Sequence, residues 1–238
     1  MDSKRNTENT SKKPRIVEIV GLAGVGKTTL CNELGRYHEH ICLSNFPAVR
    51  KISAAPFFIW NGLQIVPAIL NLSGHDSRNL TRREFAWLSI LKGWPVVLQG
   101  QLKNNKPIIL EQGPVYLLAE INEFGPAYLR EQKARFFWQG LYSRWANMLD
   151  VIVWLDAADP DLIRRIRGRD KAHVMKDESI ETILEFLARY RNAYKQTISD
   201  LSVNHPGLRI LRFDTTCQTP RVIANQLLAE FGLNVVSS

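Results

Sequence analysis

The stretch VEIVGLAGVGKTTLCNEL, residues 17–34, carries the pattern G-x-x-x-x-G-K-[ST] from Gly21 to Thr28. Its flanks give the motif the context it requires. The apolar run at residues 16–20 reads as a short buried strand, and residues 27–37 read as a helix. Glycines between strand and helix let the backbone turn tightly and aim its N–H groups inward, an anion nest on a helix N-terminus. The phosphate-contacting set is then Gly21, Ala23, Gly24, Val25, Gly26, Lys27, Thr28 and Thr29. Lys27 is placed to reach β- and γ-phosphates, and the Thr28 hydroxyl to ligate Mg²⁺. This is a Walker A pattern, and it points to a bound nucleoside triphosphate, ATP. The bland alternative is a glycine-rich turn that binds nothing.

A chain of 238 residues with 45% hydrophobic and 23% charged residues can bury a sizeable globular core. Cys31, Cys42 and Cys217 are odd in number and lack metal-ligand spacing, which fits a reduced, cytoplasmic setting. The net charge of +8 suits a polyphosphate substrate, and equally nucleic acid or an anionic membrane. Residues 1–14 are polar and charged without apolar periodicity, and read as a disordered basic arm preceding a single domain over 15–238. They show no secretory signal. Residues 52–74, ISAAPFFIWNGLQIVPAILNLSG, contain no charged side chain and are long enough to span a bilayer. Pro56, Asn61, Gly62, Gln64, Pro67 and Asn71 interrupt the run and argue against a span. A buried, proline-broken helix pair or an apolar wall over an acceptor site are the two readings that stay open.

Further strands are expected at 40–46, 108–110, 150–157 and 208–216. Helices are expected at 81–103, kinked or divided by Gly93-Trp94-Pro95, and at 115–123, 126–148, 159–169, 179–199 and 219–231. Short apolar strands alternating with helices imply a three-layer α/β/α P-loop fold with a parallel, five-stranded sheet. Ligands should gather at the carboxyl ends of its strands.

Phosphate loops serve many reactions, so the other motifs must narrow the choice. The guanine-reading Asn-Lys-x-Asp pattern is absent, and the chain is short for a helicase or transporter ATPase core. From Arg15 to about Phe231 the chain resembles the thymidylate kinase and deoxynucleoside kinase group of P-loop phosphotransferases. That group ends its third strand with an acid followed by arginine; here the match is Ile108-Ile109-Leu110-Glu111-Gln112. The resemblance makes Glu111 the residue that takes the acceptor proton or holds the Mg²⁺ water shell. Gln112 departs from the pattern, because an amide cannot make the charged, bidentate phosphate contact of arginine. The group's lid pattern R-x-x-x-R is matched by Arg165 and Arg169, within a lid at about 160–178. The two arginines share a helix face if the helix persists, and would clamp the migrating phosphoryl group. A solvated basic surface and a nucleic-acid patch are the competing readings. The resemblance places residues 216–220 beside the adenine ring, while Thr219 equally suits a plain helix cap. Asp156 is a strand-end acid with a weaker claim on Mg²⁺ than Glu111. Arg50, Lys51, Arg78, Arg82 and Arg83 are acceptor-side candidates, and Phe57, Phe58, Trp60 and Trp87 could stack on a base or pack in the core.

The resemblance implies a phosphotransferase that moves the γ-phosphoryl group of ATP, with Mg²⁺, to a nucleoside, nucleotide or other small hydroxylated acceptor. Lys27, Glu111, Arg165 and Arg169 would be its catalytic residues. The alternatives are a non-catalytic nucleotide-binding regulatory module and an ATPase docking on nucleic acid or membrane. The acceptor and the oligomeric state, a homodimer included, stay open at this level.

Overall fold

The computed structural model describes residues 15–45, 52–73, 78–169 and 173–233. The arm at 1–14, Phe46, Arg50, Lys51 and the lid residues 170–172 lie outside them. The strands are β1 (Ile16–Gly21), β2 (Cys42–Ser44), β3 (Ile108–Glu111), β4 (Val151–Asp156) and β5 (Arg209–Asp214). The helices are α1 (Lys27–Gly35), α2 (Ala55–Leu72), α3 (Arg82–Gln101), α4 (Pro114–Phe124), α5 (Arg135–Ala146), α6 (Asp159–Arg167), α7 (Ile180–Asn204) and α8 (Pro220–Glu230). All strand pairs are parallel, in the order β2-β3-β1-β4-β5. Helices α1 and α8 pack together, while α4 packs on α7, with α3 and α5 beside them. The result is a three-layer α/β/α fold.

β1 lies between β3 and β4 and is buried along its whole length. A strand covered on both faces must be apolar throughout, and Ile16, Val17, Ile19 and Val20 comply. Glu18 does not. Its buried carboxylate accepts from the backbone N–H groups of Gly113 (2.8 Å), Val115 (2.9 Å) and Tyr116 (3.1 Å). These belong to the β3–α4 turn and the first turn of α4, whose N–H groups have no partners within their own helix. Burial raises the Glu18 carboxyl above its usual range, while the three N–H donors, which occupy both of its oxygens, oppose that shift and favour the ionised form. A Cβ at position 113 would come within 2.8 Å of this carboxylate, so the turn needs glycine there.

The register places Ile19 beside Glu111 and Gly21 beside Leu155, so the phosphate loop leaves the sheet where β3 and β4 also end. Gly21 has φ +152, and a Cβ there would meet the Leu155 carbonyl oxygen at 2.4 Å. Gly24 (φ +82) and Gly26 (φ +96) take left-handed conformations that side chains disfavour. The motif's glycines thus serve turning and close approach together.

Three expectations change. α3 runs unbroken through Pro95. Proline removes the N–H that would reach the Leu91 carbonyl. The Trp145 indole N–H donates to that carbonyl instead, at 3.0 Å, and Arg144 donates to the neighbouring Lys92 carbonyl. The segment 126–148 is helical in its second half only, because Arg130 donates to the carbonyls of Asn122, Glu123 and Gly125 and turns the chain at the end of α4. Residues 127–134 form two short 3₁₀ turns that bury Tyr128 and Leu129. Residues 55–72 form one helix rather than a buried pair: Pro56 occupies its first turn, Pro67 is accommodated within it, and one side stays exposed.

Glu18→Gln is expected to lower stability by about 1–3 kcal/mol, since an amide NH₂ would face backbone donors that the carboxylate satisfies. Denaturant unfolding of both proteins measures this, and equal midpoints would show that the buried carboxylate does not anchor the turn.

Candidate functional site

The carboxyl ends of β1 and β3 open into a cavity of about 510 Å³. Its floor is the phosphate loop, with Ala23, Gly24, Val25, Gly26, Lys27, Thr28 and Thr29 all lining it. Gly21 contributes a backbone carbonyl instead: Lys27 Nζ donates to the Gly21 oxygen at 2.7 Å and to the Leu22 oxygen at 2.9 Å. Burial pulls the Lys27 ammonium down to about 8; Glu111 opposes this shift and Arg169 adds to it. The lysine therefore sits where an anion would gain most from it.

Glu111 ends β3 within reach of the loop. The Thr28 hydroxyl donates to Glu111 Oε1 at 2.5 Å, joining residues 83 positions apart. The next residue, Gln112, has φ +66, one of two left-handed non-glycine residues among those described. Such a conformation is held only where surroundings over-determine it, and here Glu18 fixes the three following N–H groups. The Gln112 side chain lines the cavity where the resembled group has arginine.

α6 lies against the loop, since a Cβ on Gly24 would meet the Leu162 carbonyl oxygen at 3.2 Å and Arg165 Cβ at 3.4 Å. Arg165 and Arg169 both line the cavity, but not as an i,i+4 pair on one helix: α6 ends at Arg167. Gly168 closes the helix and Arg169 enters from the following turn. Arg165 donates to the hydroxyl (3.0 Å) and carbonyl (2.9 Å) of Thr215, tying α6 to the β5–α8 loop. Arg164 pairs with Asp161, and Arg167 donates to the Glu178 carbonyl, so neither belongs to the cavity wall.

The β5–α8 loop contributes Thr215 and Gln218 to the cavity and Pro220 joins them from the start of α8, while Thr219 caps α8 by accepting from Val222 N–H. Of the segment 216–220, Gln218 and Pro220 thus line the cavity and Thr219 serves as the cap. Asp156 is engaged elsewhere. Arg191 donates to it at 3.2 Å and to Asp159 at 2.8 Å, so its carboxylate anchors α7 to the β4–α6 connection.

The opposite half of the cavity was not legible as a site. Tyr116 and Glu120 on α4, Phe186 and Tyr190 on α7, and His173 in the lid turn all line it. Tyr190 donates to Glu120 Oε1 at 2.8 Å, and burial followed by the nearby Glu120 charge raises the hydroxyl pKa of both tyrosines. Phe186 stacks on Tyr190 with centroids 4.6 Å apart and meets the His173 ring edge-on at 6.0 Å. Burial, then Arg169 and Lys27, hold His173 below its usual range. The available signal was the i,i+4 spacing of Tyr116 with Glu120 and Phe186 with Tyr190, which also reads as ordinary helix packing. Among the arginine candidates, Arg78 is tied to Glu84 and the Phe124 carbonyl, Arg82 is exposed, and Arg83 stacks over Trp87 at 4.1 Å. Trp87 packs edge-on against Tyr116, Phe57 against Phe58, and Trp60 points outward.

Neither a family model nor a curated protein matches the sequence. The structure does match solved ones. A thymidylate kinase from Candida albicans superimposes with a TM-score of 0.53 at 17% identity, covering 93% of this chain and 92% of that one. The YorR protein from Bacillus subtilis, in complex with phosphorylated GDP, gives 0.50 at 15% identity, covering 92% and 96%. A deoxyadenosine kinase from M. mycoides with bound dATP gives 0.48 at 16% identity, covering 89% and 98%. The matches run over most of this chain, which shares its fold with the thymidylate kinase and YorR structures.

Proposed function

We propose that this protein transfers the γ-phosphoryl group of ATP to a hydroxyl of a small, uncharged acceptor, a nucleoside or a similar hydroxylated compound. The observation that carries the reading is the 2.5 Å contact between Thr28 Oγ1 and Glu111 Oε1. It joins the phosphate loop to a strand-end carboxylate in a cavity that Arg165 and Arg169 also enter. In this reading the loop amides and Lys27 hold the β- and γ-phosphates. Thr28 and Glu111, a hydroxyl and a carboxylate, form a hard-oxygen pair that would hold Mg²⁺ with its remaining waters. The cation, when bound, neutralises charge on the β- and γ-oxygens. The acceptor oxygen bonds to the γ-phosphorus, the bond to the β,γ-bridging oxygen breaks, and ADP leaves. The acceptor proton passes to Glu111, whose Oε2 is the oxygen not taken by Thr28. Arg165 and Arg169 compensate charge on the equatorial oxygens in flight.

Charge on the cavity wall supports a neutral acceptor. Among the described lining residues, Lys27, Arg165 and Arg169 stand on the loop and lid side. The other side presents Gln112, Tyr116, Glu120, Phe186 and Tyr190. A phosphorylated acceptor would meet the Glu120 carboxylate with no arginine at position 112, and Arg83 on the same side is engaged with the Tyr116 hydroxyl and the Trp87 ring. Aromatic faces and a carboxylate–hydroxyl pair instead suit a flat or hydroxylated neutral molecule.

Assays with γ-labelled ATP against neutral nucleosides, nucleoside monophosphates and sugars test the reading. Transfer to neutral acceptors should exceed transfer to their monophosphates by at least about tenfold in kcat/KM. Preference for monophosphates would overturn the acceptor assignment, and ATP binding without transfer to any of them would favour a regulatory module.

Lys27→Ala should weaken ATP binding by at least about tenfold, or ~1.4 kcal/mol, in a folded protein. Because the Lys27 ammonium sits at about 8, wild-type affinity should be highest below that pH and fall above it. The mutant titration should lack that slope. Glu111→Gln should retain ATP binding and lose about two to four powers of ten in single-turnover transfer. Arg165→Ala and Arg169→Ala should each lower turnover more than ATP affinity, and the double mutant should fall short of the product of the two losses.

A further inference from the structure

We propose that His173 is a further phosphate-contacting residue, its Nε2–H donating to a γ-phosphate oxygen in the space that Lys27 and Arg169 share; this rests on the reading of the cavity as an ATP site. The imidazole lines the cavity together with the phosphate loop, Arg165 and Arg169. One of its nitrogens is already committed, since the Met175 N–H donates to Nδ1 at 3.2 Å. A neutral ring that accepts at Nδ1 carries its proton on Nε2. Among the described residues no protein group accepts from that Nε2–H, so it is the donor the side chain has left for a ligand. Backbone and ring contacts hold the imidazole in place. The His173 carbonyl accepts from the Lys176 N–H at 3.0 Å, and Lys176 Nζ donates to the Arg169 carbonyl at 2.6 Å. The turn therefore ties His173 to Arg169, another cavity residue. From α7, the Phe186 ring meets the imidazole edge-on at 6.0 Å.

A neutral donor suits this place better than a fourth cation. Lys27 of α1, Arg165 of α6 and Arg169 already face the cavity. Glu111 of β3, Glu120 of α4 and the hydroxyls of Tyr116 and Tyr190 complete its titratable wall. Burial, then Arg169 and Lys27, disfavour the imidazolium. Protonating Nδ1 would also cost the Met175 N–H its acceptor. The neutral ring adds no repulsion to the three cations, yet offers an anion a directed hydrogen bond, as the loop N–H groups do. ADP has no γ-phosphate for this donor to reach, so the contact belongs to ATP alone.

Two substitutions divide the functions of the ring. His173→Asn keeps an acceptor near the position of Nδ1 for the Met175 N–H and removes the donor. His173→Gln keeps an N–H donor near the position of Nε2. Calorimetric titration of the full chain with a non-hydrolysable ATP analogue and with ADP, both with Mg²⁺, reads the result without any acceptor. His173→Asn should bind the analogue about tenfold more weakly than the wild type and ADP within about twofold of it. His173→Gln should recover most of the analogue affinity. The ratio of wild-type to His173→Asn affinity should stay level from about pH 7 to about pH 9, because the donor is neutral. Equal losses for ADP and analogue would make His173 a turn residue and overturn the proposal. So would normal analogue binding in His173→Asn alongside a loss in His173→Gln. A ratio that vanishes toward about pH 9 would also overturn it, since the ring would then act as a cation. Lys27→Ala separates the two levels. Its binding the analogue like the wild type would defeat the ATP-site reading itself, whereas a loss there with His173→Asn unchanged would overturn the His173 assignment alone.

Discussion

The Glu18 carboxylate, sunk in the central strand, is the interaction on which the site depends. It takes three N–H groups from the β3–α4 turn and the first turn of α4, among them that of the cavity residue Tyr116 and that of Gly113, which follows the cavity residue Gln112. A buried carboxylate is costly unless its lone pairs are met, and the N-terminus of a helix has donors in need of acceptors. Each deficiency answers the other. β1 thus carries the phosphate loop at its end and, three residues earlier, fixes the turn that follows Glu111. Loop and carboxylate belong to one rigid unit, which is the condition for a contact such as that between Thr28 and Glu111.

The cavity has a polarity that follows from its walls. Loop and lid supply cations and directed N–H groups; α4 and α7 supply aromatic rings, tyrosine hydroxyls and a carboxylate. The lid arginines do not stand alone. Arg165 is held by Thr215, so movement of α6 would be transmitted to the loop that also contributes Gln218. Arg169 lies past the end of α6, and among the described residues its guanidinium has no such tether.

Proline and arginine account for most of the difference between the expected and observed helices. Pro95 looks like a breaker in the sequence, but its cost is local: a carbonyl without a donor. Trp145, fifty residues away, supplies the donor, and α3 continues. Arg130 has the reverse effect, capping the end of α4 and cutting short a segment whose composition suits a helix. The uncharged run at 52–74 is similar. Its composition is legible, but whether a helix so apolar is covered on one side or on all sides depends on which neighbours reach it.

The sequence by itself determined the strand, glycine loop and helix around Lys27, the alternation that makes a parallel sheet, and the strand-end position of Glu111. These are encoded within a few residues each, because glycine conformations, apolar runs and helix caps act locally. Only the tertiary structure decided that Glu18 is an anchor, that Arg165 reaches Thr215, that Asp156 is spent on Arg191, and that Tyr116, Glu120, Phe186 and Tyr190 face one cavity. Those contacts join positions tens of residues apart, and a carboxylate or a tyrosine acquires its role from the groups that packing brings within about 3 Å of it.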